Sequence, residues 1–169
     1  MKKILLINTG GTFNKVYNEL KGHLEVSTNN SAIEKILSVS FRDNVDVEIK
    51  GILYKDSLEL DDEDRELLLK SMDDYEKILI VHGTDTIDIT ATFLAQYAKD
   101  KTIVLTGAMK PFSIEPIEAT SNLSISLQFL QNCNEHDIFV GLHGLVEKHH
   151  KIKKNRQIGK FEVRNLNEV

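Results

Sequence analysis

Hydrophobic residues lie in short continuous runs along this chain, and the segments between the runs are amphipathic. A run without polar alternation is typical of a strand that is buried on both faces of a sheet. Five runs predict strands, although the second alternates at first and only then becomes continuously apolar. The predicted strands are Ile4–Asn8, Val45–Leu53, Ile78–Val81, Thr102–Leu105 and Ile138–Leu142.

Between these strands, apolar residues recur at the spacing that marks one face of a helix. The predicted helices are Ser31–Val39, Asp61–Tyr75, Ile87–Ala98 and Ile117–Leu130. Ser31 and Glu34 have the spacing of a capping box. The acidic residues at positions 61–64 suit the positive end of a helix.

Apolar strands that alternate with helices predict a parallel sheet with helices on both faces and right-handed connections. We therefore predict an α/β fold with a mostly parallel sheet, as a single doubly wound domain of Rossmann or flavodoxin-like type over residues 1–169. The segment Lys148–Lys160 departs from this pattern, because it holds six Lys or Arg, two His and no acid. A loop, an edge strand and a tail all remain open for it.

Composition narrows the class of protein. The 169 residues are 41% hydrophobic and 28% charged, as in an ordinary globular domain. A net charge of −5 argues against general nucleic-acid binding, which needs a basic face. The run Ile4–Ile7 is too short for a signal-peptide core and no stretch is long enough to span a membrane. We expect a cytoplasmic protein in which Cys133, the single cysteine, is a buried thiol.

Polar residues and glycines follow each predicted strand. Because parallel sheets bind ligands beyond the carboxyl ends of their strands, we expect these segments to share one edge. Their hydroxyls and backbone amides suit a carboxylate or an oxyanion, which predicts a small anionic or zwitterionic substrate. The segments are Thr9–Thr12, Asp56-Ser57, His82–Thr86, Thr106–Met109 and His143-Gly144.

Several of these features also have a purely structural interpretation. Gly10-Gly11 could form only a tight turn, since it lacks the spacing of a dinucleotide fingerprint or a P-loop. Thr84-Asp85 could be the N-cap and first-turn acid of the following helix. Asp56-Ser57 could only shape a turn.

The histidines are interpreted in the same way. His82 alone is more often a core histidine with satisfied hydrogen bonds than a catalyst. His149-His150 predicts a solvated pair, and no metal-ligand spacing accompanies it. We therefore expect neither a metal nor a cofactor. No Gly-x-Ser-x-Gly elbow supports a serine hydrolase.

Taken together, three motifs are more specific than any one of them. Thr9-Gly10-Gly11-Thr12 resembles the first signature of the threonine-dependent L-asparaginase/glutaminase family. His82-Gly83-Thr84-Asp85-Thr86 resembles the second signature, and Thr106-Gly107-Ala108-Met109-Lys110-Pro111 is similar to the Gly-Ala-Met-Arg-Pro element that follows it. The resemblance runs from Lys3 to about Phe161, which is the extent of the family's N-terminal domain.

The resemblance implies an amidohydrolase that converts L-asparagine or a related small amide to the acid and ammonia through a threonine acyl-enzyme. Thr12 then matches the nucleophile, and Thr84 and Asp85 match the second threonine and its partner acid. A lysine completes this group: ungapped counting gives Lys153, with Lys154 as the near alternative.

The remaining site residues also follow from the resemblance. Tyr17 matches, loosely, the tyrosine of a mobile loop that covers the nucleophile. Ser57 matches a serine that holds the substrate α-carboxylate, and Ala108 contributes a backbone carbonyl. The expected substrate-binding residues are Gly11, Asp56, Ser57, Gly83 and Ala108.

The chain also differs from the family pattern. Leu58 stands where a polar residue is common, and no threonine precedes the lysine in Lys151–Lys154. Family members usually carry a second, C-terminal domain, which we expect to be absent here, and they form homodimers or homotetramers. These differences leave an alternative open: a non-catalytic amino-acid-binding or interaction domain, or one that needs a partner to complete the site. Nucleic-acid binding through Lys148–Lys160 is disfavoured by the lack of interleaved aromatic residues.

Overall fold

The structure is a computed structural model that describes residues 3–42 and 44–164. Its strands in chain order are β1 (Ile4–Gly10), β2 (Lys15–Asn18), β3 (His23–Val26), β4 (Val47–Lys55), β5 (Lys77–Val81), β6 (Thr102–Thr106), β7 (Ile138–Leu142), β8 (Leu145–Lys148), β9 (Ile152–Asn155) and β10 (Lys160–Val163). Its helices are α1 (Ser31–Ile36), α2 (Asp62–Lys70), α3 (Ile87–Tyr97) and α4 (Pro116–Asn132).

Six strands form the central sheet, in the order β4-β1-β5-β6-β7-β8. The first five are parallel, and β8 runs antiparallel to β7 at one edge. The parallel strands follow the flavodoxin-like order, in which the strand order reverses between β1 and β5. The predicted α/β fold with a mostly parallel sheet is confirmed.

Helices cover both faces of this sheet, because each central strand sends apolar side chains alternately to either side. On one face Leu5 and Ile7 pack in a core shared with α2 and α3. On the other face Ile4 and Leu6 pack in a core shared with α1 and α4. None of the helices within the described ranges is long and apolar enough to cross a membrane.

The start of α1 differs from the prediction. The predicted capping box at Ser31 is wrong: Asn30 takes the N-cap position without a side-chain hydrogen bond, and Ser31 Oγ donates to Asn29 Oδ1 at 2.7 Å. The capping box lies instead at α2, where Asp61 and Asp64 each accept from the other's backbone amide. The first helix continues past α1 as a π-helical turn over Leu37–Phe41, whereas α2 ends at Lys70, earlier than predicted.

The segment that the sequence left open forms a β-hairpin. A short turn at His149–Lys151 leads into β9, which pairs with β10 in an antiparallel hairpin. Ile152 and Phe161 are buried and anchor the hairpin to the core beside α3. Cys133 was predicted to be buried, but it is only partly buried, just beyond the end of α4.

Candidate active site

The turns that follow β1, β4, β5 and β6 touch one another at one edge of the sheet. A Cβ atom placed on Gly11 would lie 2.5 Å from the Cα of Gly83. One placed on Gly83 would lie 2.6 Å from Ser57 Oγ, and one placed on Gly107 would lie 2.3 Å from the carbonyl oxygen of His82. Glycine is required at these contacts because any side chain would collide with a neighbouring turn. The predicted convergence is therefore confirmed for these four strand ends.

Thr12 begins a single helical turn directly after β1, at the point where the strand order reverses. The preceding Gly11 has a φ of 69°, a conformation that glycine adopts readily. The Gly11 amide donates to the Lys55 carbonyl at 2.9 Å, which fixes the turn against β4. Thr12 is partly exposed, so its hydroxyl lies at the rim of this edge rather than in the core.

Thr84 and Asp85, directly after β5, share a cationic partner. Lys154 Nζ lies 2.9 Å from Thr84 Oγ1 and 2.8 Å from Asp85 Oδ1, across about 70 residues of sequence. Thr84 is buried and the Lys154 side chain is only 11% exposed, whereas the Asp85 side chain is 46% exposed. The group therefore has a shielded hydroxyl and ammonium beneath a carboxylate that is open to solvent.

The lysine that reaches this group is Lys154, the predicted alternative to Lys153. Lys153 Nζ lies 3.9 Å from Glu162 on the neighbouring strand. The two lysines are consecutive on β9, so their side chains point to opposite faces of the hairpin. The purely structural interpretation of Thr84-Asp85 as a helix cap is wrong, because Thr86 takes the N-cap position of α3.

Asp56 and Ser57 occupy the turn after β4. Asp56 accepts from the Leu58 amide, as its interpretation as a turn residue predicted, and also from Lys15 Nζ at 2.8 Å. The Lys15 ammonium holds the pKa of Asp56 below its usual value. Ser57 is 2% exposed and its carbonyl accepts from Thr86 Oγ1, which ties this turn to the start of α3.

His82 is a core histidine with both ring nitrogens satisfied, as predicted. Its Nδ1 lies 2.7 Å from the Gly83 carbonyl and its Nε2 lies 2.8 Å from Thr90 Oγ1. A carbonyl only accepts, so Nδ1 carries the proton and Nε2 accepts from the Thr90 hydroxyl. Burial lowers the pKa of His82 to about 4. The imidazole is therefore neutral at pH 7 and supports the turn that carries Gly83.

The turn after β6 and the hairpin formed by β2 and β3 lie on the other side of the site. Ala108 is buried, and the neighbouring Met109 Sδ lies 3.5 Å from Thr84 Oγ1. Tyr17 lies on β2, opposite Leu24 of β3, and is 59% exposed. The hairpin that carries it leaves the sheet directly after the turn that begins at Thr12.

Two cations at this edge were missed from the sequence. Arg156 Nη2 donates to the Asp85 carbonyl at 3.0 Å, and Lys15 bonds Asp56. Arg156 follows Lys154 by two residues, the spacing that shares one face of an extended segment, so the basic run itself held the signal. Lys15 carried no such pattern. Within residues 3–42 and 44–164, no cluster of three or more His, Cys, Asp or Glu side chains could hold a metal ion.

Comparison with known proteins assigns a family. The sequence profile described as Asparaginase, N-terminal, matches residues 3–166. The L-asparaginase of Thermococcus kodakarensis is 30% identical over 133 residues, which cover 75% of this chain and 40% of that protein. L-asparaginase 2 of Bacillus subtilis is 41% identical over 56 residues, which cover 32% of this chain and 15% of that protein.

Solved structures support the same family assignment. The thermostable L-asparaginase from Thermococcus kodakarensis superposes with a TM-score of 0.80 at 27% identity, over 95% of this chain and 51% of that chain. The probable cytoplasmic L-asparaginase from Campylobacter jejuni shares the fold, with a TM-score of 0.80 at 22% identity over 98% of this chain and 54% of that chain. The chain thus spans about half the length of these solved proteins. It belongs to the asparaginase family, and the part of that family it corresponds to is the N-terminal domain.

Proposed function

We propose that this chain carries the catalytic residues of an asparaginase-type amidohydrolase, with Thr12 as the nucleophile. One observation carries the proposal: Lys154 bonds both Thr84 and Asp85, and the turn before Thr12 packs directly on the turn before Thr84. A hydroxyl, an amine and a carboxylate gathered beside a second hydroxyl are what nucleophilic attack by threonine needs. The relatives, which are L-asparaginases, support the same reaction class.

The reaction would proceed in two steps. Thr12 Oγ1 attacks the side-chain amide carbon, the C–N bond breaks, and ammonia leaves an ester on Thr12. Water then attacks the ester, releases the acid and restores the hydroxyl. The Lys154–Asp85 pair accepts the Thr12 proton by way of the Thr84 hydroxyl and returns a proton to the departing nitrogen.

The charges at the sheet edge favour an anionic substrate. Lys15, Lys154 and Arg156 outnumber the two carboxylates they contact, Asp56 and Asp85. An excess of positive charge attracts a substrate carboxylate. We assign the buried Ser57 to that carboxylate, Gly11 and Gly83 to close backbone approach, the carbonyl of Ala108 to the amide, and Tyr17 to the cover of the nucleophile.

Ammonia release tests the proposal. Purified protein should release ammonia and the matching acid in equal amounts from L-asparagine or a closely related small amide. Asparagine, glutamine and succinamic acid form a useful series, because the last keeps the amide and a carboxylate but lacks the α-ammonium. No ammonia above the background of heat-denatured protein from any of them would overturn the proposal.

A second candidate is an amino-acid-binding domain without turnover. It is favoured by the pairing of Asp85 and Asp56 with cations of their own chain. Titration calorimetry separates the two: saturable heat with aspartate but no ammonia from asparagine supports a binding domain. Ammonia release at a saturating rate excludes it.

We further propose that the protein acts as a homodimer or homotetramer, as the resemblance to the family implies. Sedimentation velocity over a range of protein concentrations tests this. A single species with the mass of one chain at every concentration would contradict it.

A further inference from the structure

His143 directly follows the fifth parallel strand, β7, and both its backbone amide and its ring make hydrogen bonds. Its backbone amide donates to Asn122 Oδ1 at 2.9 Å, and its ring bonds on both sides. Its φ is 54°, in the left-handed region, where any residue with a side chain carries some backbone strain although histidine is found there more often than most. A strained residue held by several bonds indicates that the surrounding structure fixes its position.

One ring nitrogen of His143 reaches the loop after β6. Nε2 lies 3.0 Å from Glu118 Oε1, and both side chains are about four-fifths buried. The same carboxylate accepts from the Met109 amide at 2.8 Å and from the Lys110 amide at 3.2 Å. His143 and Glu118 therefore fix the backbone that follows Ala108.

The other ring nitrogen reaches the second hairpin. Nδ1 accepts from the Phe161 amide at 3.1 Å, so Nδ1 is unprotonated and Nε2 donates to Glu118. In the pairing of β9 with β10, Phe161 lies directly opposite Lys154. His143 thus holds the backbone of the residue paired with the lysine that reaches Thr84.

Asn122 also links His143 to the loop after β6. Its Nδ2 donates to the Gly107 carbonyl at 2.9 Å, and it accepts from the His143 amide. The side chain is buried on α4. The loop after β6 is therefore bound at both Gly107 and Met109 to a scaffold that includes His143.

We propose that His143 is a positioning residue that aligns Lys154 with the loop carrying Ala108 through its two ring nitrogens. The expected effect of His143 on catalysis rests on the proposed function. The alignment of Lys154 with the loop that carries Ala108 does not depend on whether the protein turns over a substrate. Loss of the Nδ1 contact should displace the hairpin and Lys154, and so slow proton transfer. Loss of the Nε2 contact should loosen the loop that binds the amide, and so weaken substrate binding.

Two substitutions separate the two contacts. Asn places an acceptor near the position of Nδ1 and suits the left-handed backbone, so His143→Asn keeps the Phe161 contact and loses the Glu118 contact. Gln reaches the position of Nε2, so His143→Gln keeps the Glu118 contact and loses the Phe161 contact. Each variant is the matched control of the other.

Amide hydrogen exchange measured by NMR tests the alignment independently of catalytic activity. In His143→Gln the Phe161 amide should exchange about tenfold faster while Met109 stays close to wild type, and in His143→Asn the pattern should reverse. For ammonia release, His143→Gln should lower kcat about tenfold with KM within about twofold, and His143→Asn should mainly raise KM.

Equal changes at both amides, or parallel changes of kcat and KM in both variants, would overturn the inference in favour of a general structural role. If the wild type releases no ammonia, the proposed function fails and the exchange result alone decides the alignment. Where either His143 variant does not fold, Glu118→Ala is compared with the wild type, because it removes the Nε2 contact and leaves the left-handed backbone at His143 unchanged. Glu118→Ala should speed exchange at Met109 but not at Phe161, and equal loss at both would again overturn the inference.

Discussion

Lys154 and Lys153 are adjacent in the sequence but have different surroundings. Lys154 bonds Thr84 and Asp85, whereas Lys153 lies near Glu162. If Lys154 relays the proton, Lys154→Ala should lower kcat/KM for amide hydrolysis by about 100-fold or more, the usual range for loss of a general base. Lys153→Ala is the matched control and should stay within about threefold of wild type. Similar losses in the two variants would contradict the assignment of Lys154.

His82 makes stability depend on pH. Burial lowers its pKa from 6.5 to about 4, so between these values the unfolded chain binds a proton here that the folded chain does not. The free energy of unfolding should therefore fall as pH drops through this window, by roughly 3 kcal/mol in all, and this contribution should be flat above pH 6.5. Urea unfolding at a series of pH values measures it.

The control for this effect is His82→Asn, which removes the titrating group. Protonation of carboxylates such as Asp56 also lowers the free energy of unfolding in acid. That decrease occurs in the variant as well as in the wild type. The difference between the wild-type and variant curves of unfolding free energy against pH gives the contribution of His82. Parallel curves between pH 6.5 and 4 would show that His82 is not the cause.

At the scale of elements, the turns after β1 and β5 stabilise the site by direct backbone packing. Gly11 and Gly22 have nearly equal φ values, 69° and 71°. A Cβ on Gly11 would meet Gly83 at 2.5 Å, while a Cβ on Gly22 would meet nothing within 4 Å. The difference between the two Gly→Ala changes therefore combines the close packing at Gly11 with its backbone conformation, because its ψ of −173° is essentially confined to glycine.

Gly11→Ala should therefore destabilise the protein by about 1–3 kcal/mol more than Gly22→Ala, the usual cost of overpacking. Chemical denaturation of both variants gives the comparison. Equal losses would mean that the two turns do not pack closely in solution.

The elements also mark where sequence reasoning succeeded and where it stopped. The central strands were predictable because burial on both faces leaves a continuous apolar run, as in β5 and β6. The β9–β10 hairpin was not, because its strands are short and mostly polar and are held by two anchors, Ile152 and Phe161. The sequence could not decide between Lys153 and Lys154 for a related reason: a shift of one residue turns a side chain to the opposite face.

At the scale of the whole molecule, topology creates the site. The strand order reverses between β1 and β5, so the turns that begin at Thr9 and His82 meet at the crevice where such folds bind ligands. This convergence was predictable from strand-end motifs alone. The hydrogen bonds that fix it, such as those of His143 and Glu118, were not, because nothing local in the sequence relates residues 25 positions apart.

Thr12, at this crevice, is the proposed nucleophile of an amidohydrolase. The most direct measurement is kcat/KM for ammonia release from L-asparagine by wild type, Thr12→Ser and Thr12→Ala. If Thr12 is the nucleophile, the wild type should release ammonia measurably, Thr12→Ser should release it more slowly, and Thr12→Ala should lose about 1,000-fold or more. Release by Thr12→Ala at more than a tenth of the wild-type rate would contradict this role for Thr12.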